Sequence, residues 1–318
     1  MDLVAVQSES YKTKFMARHI VKVVQSIGGC TISYDSYKNI YVTKGKAKLY
    51  NCMVCHIDTV HSIVPSKIVP INVNGNIIAI NNNTLEQIGT GGDDKVGIHI
   101  TIELLKKLDN FKAVFFLDEE VGCIGSGQAD YKFFDDCKYV LECDRRGNSD
   151  FVHRISSTEL CSKKFINDLR PILNQYGYSE CSGGMTDVLE IAYETNLCVA
   201  NISCGYYNPH TDAEYINIED VINTFNMCYD IFTKINNKYT YDGVRTSYSY
   251  GNYHYGNIKY HDYPFDKYGN VKYEEEYYEE EIDFDSQSPS CGIGCFMQKG
   301  YCSQCMITDQ ELKDYYEA

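Results

Sequence analysis

Residues 111–125, FKAVFFLDEEVGCIG, pass from an unbroken apolar run into consecutive acidic side chains. The run Ala113–Leu117 has the length and composition of a β-strand that is buried on both faces, as strands of parallel sheets are. Asp118, Glu119 and Glu120 follow directly where that strand ends. Burying carboxylates beside a hydrophobic sheet costs free energy unless a positive charge neutralises them. This junction therefore predicts a functional site, and divalent cations suit it best.

The same arrangement recurs along the chain. Apolar runs at Tyr50–Cys55, Tyr139–Leu141 and Leu197–Ser203 also predict buried strands. Side chains of metal-binding type come at or after short apolar runs in four further segments. These segments are His56-Ile57-Asp58, Gly91-Gly92-Asp93-Asp94-Lys95, Cys143-Asp144 and Pro209-His210-Thr211.

Helical patterns lie between the predicted strands. The spacing of apolar residues predicts helices at Lys12–Ile27, Lys95–Leu108, Thr158–Tyr176 and Ile218–Ile235. Strands that alternate with helices indicate an α/β fold with a mixed, largely parallel central sheet and helices on both faces. Ligands of such sheets bind beyond the carboxyl ends of the strands. The predicted fold therefore brings the polar residues of these junctions close together.

Composition narrows the functional classes. The chain has 318 residues, 44% of them hydrophobic, which suffices for one substantial core. Its formal net charge of −15 argues against nucleic acid or an anionic membrane as a partner, because phosphates require clustered Lys and Arg. No apolar stretch approaches the roughly 20 residues needed to span a bilayer, so we expect a cytoplasmic protein. The 15 cysteines, an odd number, lie mostly singly in apolar runs and are expected to be reduced core thiols.

Composition changes near residue 237, which we take as a domain boundary. Residues 1–237 carry the strand and helix patterns. Residues 238–288 are predicted to be a flexible, acidic linker, and 15 of the 29 tyrosines follow residue 237. Residues 289–318 form a Cys-rich segment with the ligand count of a small structural zinc site, and a cysteine-rich disordered end is the alternative. Its thiols are Cys291, Cys295, Cys302 and Cys305.

Each motif taken alone has an ordinary structural interpretation. Asp93-Asp94 after two glycines is typical of a turn that caps the following helix, and Glu119-Glu120 is typical of a solvated helix start. The ordered set is hard to explain in that way, because each member stands beside a predicted strand end. Catalytic zinc takes imidazole nitrogen and carboxylate oxygen, and a paired centre needs one bridging carboxylate. The set therefore favours two divalent ions, with Zn²⁺ expected and Co²⁺ or Mn²⁺ as alternatives.

The order of the motifs resembles that of the co-catalytic dizinc exopeptidases, a group that contains the M20, M28 and M42 peptidases. The resemblance covers about residues 10–237 and rests on CHIDTV, GGDDKVG, LDEEVGCIG and YYNPHTDAEYI. It implies two ions that share one carboxylate. The implied ligands are His56, Asp93 and Asp144 for one ion and Asp93, Glu120 and His210 for the other.

The resemblance also implies roles for residues outside the ligand set. Glu119 is implied to be the general base, which takes a proton from the water between the ions. Asp58 is implied to orient His56 through the second ring nitrogen, a contact that metal-binding histidines usually need. The peptide bond between Asp93 and Asp94 is implied to be cis. These roles describe a metallohydrolase catalytic domain in this part of the chain.

The spacing of the motifs departs from that of larger relatives, which insert a lid or dimerisation domain. Only 66 positions separate Asp144 from His210, and 37 separate His56 from Asp93. Neither interval has room for such a domain. We therefore predict a lidless, single-domain form, to which substrate contacts borne by a lid do not carry over.

Candidate substrate contacts come from two segments. Gly183 and Gly184 lie in a glycine-rich segment that resembles a substrate-binding loop of the relatives, and a plain turn before a helix is the alternative. Arg145 and Arg146 directly follow an implied metal ligand and suit a substrate carboxylate, with surface salt bridges as the alternative.

The resemblance implies a dizinc metallohydrolase that cleaves a terminal amide bond of short peptides, as an aminopeptidase or a dipeptidase. The same machinery serves N-acyl amino acid deacylases, which is the first alternative. A noncatalytic binding protein that uses the fold and the tyrosine-rich tail is the second. The oligomeric state does not follow from the sequence.

Overall fold

A computed structural model of the chain describes residues 1–241, 243, 245, 297–298 and 301–302. In this part of the chain the α-helices are α1 Asp2–Ala5, α2 Lys14–Ile27, α3 Gly92–Lys107, α4 Ile124–Gly127, α5 Lys163–Gln175, α6 Asp187–Glu194 and α7 Ile218–Lys234. A short 3₁₀ helix covers Tyr131–Phe134. Among these described residues, no helix is both long and apolar enough to cross a membrane.

The strands form a larger and a smaller sheet. The larger sheet contains β1 Cys30–Tyr34, β2 Ile40–Lys44, β3 Tyr50–His56, β7 Phe111–Phe116, β8 Cys137–Arg145, β9 Asp150–Ile155, β10 Thr158–Glu159, β11 Ser179–Gly183 and β12 Val199–Ser203. The smaller sheet contains β4 Ile68–Val73, β5 Asn76–Asn81, β6 Gln87–Ile88, β13 Tyr206–Tyr207 and β14 Tyr215–Asn217.

The larger sheet has the strand order β1-β2-β7-β3-β8-β12-β9-β10, and β11 pairs with β9. Its centre is parallel, since β7, β3, β8 and β12 run in the same direction. Every residue of β3 and β7 is buried, as their unbroken apolar runs require. The predicted mixed, largely parallel α/β sheet is thereby confirmed. Because parallel strands present their carboxyl ends at one edge, the residues that follow β3, β7 and β8 meet there.

The predicted helix Thr158–Tyr176 begins too early. Thr158–Glu159 pairs with β9 as strand β10, and α5 starts only at Lys163. Ser162 explains the later start, because its Oγ accepts a hydrogen bond from Phe165 N at 3.3 Å and so caps the helix. The other predicted helices and strands are present, with ends shifted by a few residues.

The interval between β3 and α3 forms most of the smaller sheet. It supplies β4, β5 and β6, and β14 joins them by pairing with β5. The sequence did not predict these strands, because they are short and mostly half-exposed and so lack long apolar runs. Residues 1–245 form one compact unit, with no separate lid domain in the intervals 57–92 and 145–209.

This compact unit extends to Arg245, past the boundary predicted at residue 237. Tyr239 is only 4% exposed, and its ring packs against Phe165 and Tyr139. The guanidinium of Arg245 donates five hydrogen bonds to main-chain carbonyls. The accepting residues are Glu159, Leu160, Ala192, Thr195 and Leu197. Residues just past the predicted boundary therefore belong to the folded unit.

The second unit comprises Thr246–Ala318. Its described residues form an antiparallel pair of strands, β15 Met297–Gln298 and β16 Tyr301–Cys302. Cys291, Cys295 and Cys305 lie outside the described residues, as does nearly all of the segment 238–288. The zinc site in the Cys-rich segment stays a prediction.

Candidate metal centre

The five implied ligands meet at the carboxyl edge of the parallel strands. His56 ends β3, Asp144 lies near the end of β8, and Glu120 lies in the loop after β7. Asp93 stands at the start of α3, and His210 follows β13. Three of the five lie at or just after the ends of β3, β7 and β8. They lie close together because neighbouring parallel strands share this edge.

Asp93 lies between the two histidines. Its Oδ1 is 3.1 Å from His56 Nε2, and its Oδ2 is 3.2 Å from His210 Nε2. Each histidine also contacts a second carboxylate: His56 Nε2 is 3.6 Å from Asp144 Oδ1, and His210 Nε2 is 3.1 Å from Glu120 Oε2. The two oxygens of one carboxylate thus face two separate sets of nitrogen and oxygen donors. A pair of ions with a shared ligand requires this arrangement.

Asp58 lies behind His56. His56 Nδ1 is 3.0 Å from the main-chain oxygen of Asp58 and 3.4 Å from its Oδ1, so Nε2 is the nitrogen that faces the other ligands. The Asp58 carboxylate also accepts hydrogen bonds from Glu119 N at 3.0 Å, Glu120 N at 3.2 Å and Ser10 Oγ at 2.7 Å. One side chain therefore fixes both the histidine and the acidic loop after β7.

The peptide bond between Asp93 and Asp94 is cis, as predicted. The Asp94 carboxylate contacts main-chain N–H groups. Its Oδ1 accepts a hydrogen bond from Gly97 N at 3.0 Å, and its Oδ2 accepts one from His56 N at 3.3 Å. The capping interpretation of this motif therefore holds for Asp94, whereas the Asp93 carboxylate faces the histidines.

A layer of hydrogen bonds holds Asp144. Asn201 Oδ1 accepts from Asp144 N at 2.9 Å, and Asn201 Nδ2 donates to Asp144 O at 2.7 Å. Tyr206 OH donates to Asp144 Oδ1 at 3.2 Å. Thr186 Oγ1 lies 3.0 Å from Asp144 Oδ2 and 2.5 Å from Oε2 of the buried Glu142. These contacts fix the orientation of the Asp144 carboxylate.

The carboxylates of the cluster lie close to one another, and their mutual repulsion raises the affinity of two of them for protons. Burial and the neighbouring Asp93 raise the pKa of Asp144 to about 6, and burial and the same neighbour raise the pKa of Glu120 to about 8. A hydrogen bond with Asp93 raises the pKa of His210 to about 9. Burial alone would lower the pKa of His56, but its contacts with Asp144 and other carboxylates raise it. Additional positive charge would stabilise this cluster.

The donor set fits divalent cations. The ligand atoms of His56, Asp93 and Glu120 lie within 4.8 Å of one another. Glu120 Oε1 is buried and has no hydrogen-bond partner among the described residues. A cation satisfies such an oxygen, and imidazole nitrogen with carboxylate oxygen is a donor set that suits Zn²⁺, Co²⁺ or Mn²⁺.

Glu119 lies beside the ligand set. Its Oε1 is 3.4 Å from Cys123 Sγ, and its main-chain N–H is held by Asp58. Burial raises the pKa of Glu119, and the nearby Asp144 and Asp187 add to that effect. A partly buried carboxylate next to the implied ligands, with increased affinity for a proton, suits the general-base role that the resemblance implies.

The candidate substrate contacts have different surroundings. Arg145 Nε pairs with Asp150 Oδ2 at 2.8 Å, so its charge is partly neutralised, whereas Arg146 is exposed. Gly183 ends β11, and a Cβ there would lie 2.7 Å from a Val152 methyl carbon. The glycine at this position therefore permits close packing of β11 on β9. Gly184, by contrast, has open space where a side chain would stand.

The sequence did not predict the residues that form hydrogen bonds with Asp93 and Asp144 and fix their positions. They are Glu214, Asn201, Thr186 and Tyr206. A signal existed for Asn201, which is a polar residue inside the apolar run of β12. Glu214 lies four residues after His210 and had no comparable signal.

Comparison with known proteins bears on the fold. No protein-family model and no curated protein sequence matches this chain. Solved structures do match it. Aminopeptidase PepT from Bacillus cereus has 16% identity and a TM-score of 0.60, over 73% of this chain and 95% of that one. A tripeptidase from Staphylococcus aureus has 14% identity and a TM-score of 0.59, over 74% of this chain and 96% of that one.

An aminopeptidase from the archaeon Desulfurococcus kamchatkensis is also similar, with 14% identity and a TM-score of 0.57, over 73% of this chain and 92% of that one. The chain therefore shares the fold of these peptidases. The fold that the motif resemblance implied is confirmed.

Proposed function

We propose that this protein is a metal-dependent aminopeptidase that removes N-terminal residues from short peptides. The observation that carries the proposal is the position of Asp93 between His56 and His210, with Asp144 and Glu120 beside them. Two divalent cations that share Asp93 fit this arrangement. The fold shared with an aminopeptidase and a tripeptidase supports a peptide as the substrate.

The chemistry follows from the residues around the ligands. Two divalent cations held by His56, Asp93, Asp144, Glu120 and His210 would lower the pKa of the attacking water and polarise the scissile carbonyl. Glu119 takes the proton of the attacking water on its carboxylate and passes it to the leaving amine. Asp58 fixes the main chain of Glu119 and the ring of His56 together, so the base and the ligand keep their relative positions.

The electrostatics favour a substrate with a free α-amine near the cluster. The formal net charge of the chain is −15, and it stays strongly negative when two divalent cations are bound. This field attracts an ammonium group and repels a carboxylate. Arg145 already forms an ion pair with Asp150, so it is less available to bind a substrate carboxylate. The amino end of the peptide therefore suits this site better than the carboxyl end.

A matched set of tripeptides tests the proposal. Protein loaded with Zn²⁺, Co²⁺ or Mn²⁺ is given a free tripeptide, its N-acetylated form and its C-terminally amidated form, and products are separated by chromatography. We expect cleavage of the free and amidated peptides, with most activity lost on acetylation. Faster cleavage of the acetylated form would indicate a deacylase, and sensitivity to amidation alone would indicate a carboxypeptidase. A free dipeptide is assayed beside the tripeptides, and cleavage of the dipeptide alone would indicate a dipeptidase. No cleavage of any peptide by metal-loaded protein would indicate a noncatalytic binding protein.

A further inference from the structure

The thiol of Cys123 contacts the proposed general base. Cys123 Sγ donates a hydrogen bond to Glu119 Oε1 at 3.4 Å. In the part of the chain that the structure describes, no other side chain donates a hydrogen bond to the Glu119 carboxylate. Among the described residues, the thiol is therefore the side chain that donates a hydrogen bond to this carboxylate.

Main-chain contacts hold Cys123 in place. Its φ is 55°, a left-handed conformation, and its N–H donates to Glu119 O at 2.8 Å. Its carbonyl accepts hydrogen bonds from Gly127 N at 3.0 Å and Ser126 Oγ at 3.1 Å. The residue is only 2% exposed. The tight turn from Glu119 to Cys123 therefore fixes the distance between thiol and carboxylate.

The environment keeps the Cys123 thiol protonated. Burial raises its pKa, and the nearby Asp187 and Glu119 add to the effect. A protonated thiol is a weak donor. A weak donor orients a carboxylate while stabilising its charged form less than a hydroxyl or an amide would.

We propose that Cys123 is a positioning residue for Glu119. Its thiol holds the carboxylate towards the attacking water and does not itself touch substrate. The inference rests on the proposed function, because it takes Glu119 as the general base.

Two substitutions test the positioning role. Cys123→Ala removes the donor, and we expect kcat to fall about tenfold, a part of the ~10²–10⁴-fold that general acid–base catalysis contributes. KM and metal content should not change. Cys123→Ser keeps a donor and should restore most of kcat. Cys30→Ser, in the edge strand β1, controls for the loss of a thiol elsewhere and should match the wild type. Wild-type kcat in Cys123→Ala, or equal losses in Ala and Ser, would overturn the proposal.

A spectroscopic measurement tests the contact without using activity. The infrared S–H stretch of Cys123 is isolated as the difference between wild type and Cys123→Ala, and again in a Glu119→Ala background. We expect the lower frequency of a hydrogen-bonded thiol in the first difference and a higher frequency in the second. The same frequency in both would overturn the contact. Failure of the proposed function looks different, since the metal-loaded wild type would then cleave no peptide.

Discussion

The Glu214 carboxylate accepts hydrogen bonds from the main-chain N–H of Gly91 at 2.6 Å and from that of Asp93 at 3.1 Å. Glu214 is fully buried, and its Oε2 also lies 2.9 Å from His61 Nε2. One side chain therefore fixes the loop that places Asp93 between the two histidines. Glu214 is four residues after His210, so it also ties this loop to the segment that carries the second histidine.

Glu214→Gln should weaken metal binding without removing a ligand. An amide group in place of one carboxylate oxygen loses at least one of the two hydrogen bonds and leaves a buried N–H unpaired. We expect the affinity for Zn²⁺ to fall about 10–100-fold, and the free energy of unfolding to fall by about 1–3 kcal/mol. Chelator competition and denaturant titration measure the two effects. Glu219→Gln, an exposed neighbour, is the control, and equal affinities in the two variants would contradict the role of Glu214.

Asp58→Asn should affect both the histidine and the acidic loop. The Asp58 carboxylate accepts three hydrogen bonds and lies against His56 Nδ1, and an asparagine amide cannot preserve all of these contacts. We expect a loss of about 10–100-fold in metal affinity. Ser10→Ala removes only one of the hydrogen bonds and should have a smaller effect. The explanation fails if Asp58→Asn binds Zn²⁺ as tightly as the wild type does.

The meeting of the implied ligands was predictable because strong local patterns mark their positions. His56 and Asp144 follow apolar runs, and the geometry of a parallel sheet brings such strand ends together whatever their separation in sequence. The cis bond at Asp93-Asp94 followed from the resemblance of one short motif. Local patterning of this kind is visible in a single sequence.

The supporting contacts were not predictable, because they depend on how distant segments pack. Glu214 reaches Asp93 across 121 positions, and nothing in either segment specifies the other. Asn201 holds Asp144 only because β12 pairs with β8 in a particular register. The early start predicted for α5 has a local cause, since the cap at Ser162 competes with an apolar pattern that begins before it.

Truncation should separate the folded unit from the rest of the chain at Arg245. Protein ending at Arg245 retains buried Tyr239 and the five guanidinium hydrogen bonds, whereas protein ending at residue 237 loses both. We expect the shorter form to lose at least about 3 kcal/mol of unfolding free energy, as for removal of a buried aromatic side chain. Urea titration of the two forms decides the matter. Equal stabilities would mean that residues 238–245 contribute nothing to the unit.

The metal-free protein should lose stability as pH rises from about 4 to 9. The pKa values of Asp144, Glu120 and His210 are raised in the folded state, to about 6, 8 and 9. A group with a raised folded-state pKa contributes stability below its unfolded pKa, and that contribution is lost as pH rises through the folded value. The pKa of Asp93 is lowered, because hydrogen bonds from His210 and His56 outweigh burial. Its contribution to stability is therefore lost only when pH falls below about 4, outside this range.

Thermal unfolding at a series of pH values checks this prediction. With chelator present, the Tm should fall steadily from pH 5 to pH 9. With Zn²⁺ present, the decline should be much smaller, because the bound cations compensate the carboxylates once they lose their protons. A chelated sample whose Tm rises over the same range would show that Asp144, Glu120 and His210 do not hold protons more tightly in the folded state.

Metal content and peptide turnover, measured together on Glu119→Gln, test the central claim most directly. His56→Ala and His210→Ala provide the contrast, since each removes a ligand and should lower metal occupancy itself. For Glu119→Gln we predict about two ions per chain, as a paired centre requires, and no detectable cleavage of a free tripeptide. Loss of the ions together with activity would place Glu119 among the ligands, and full turnover in Glu119→Gln would contradict its role as the general base.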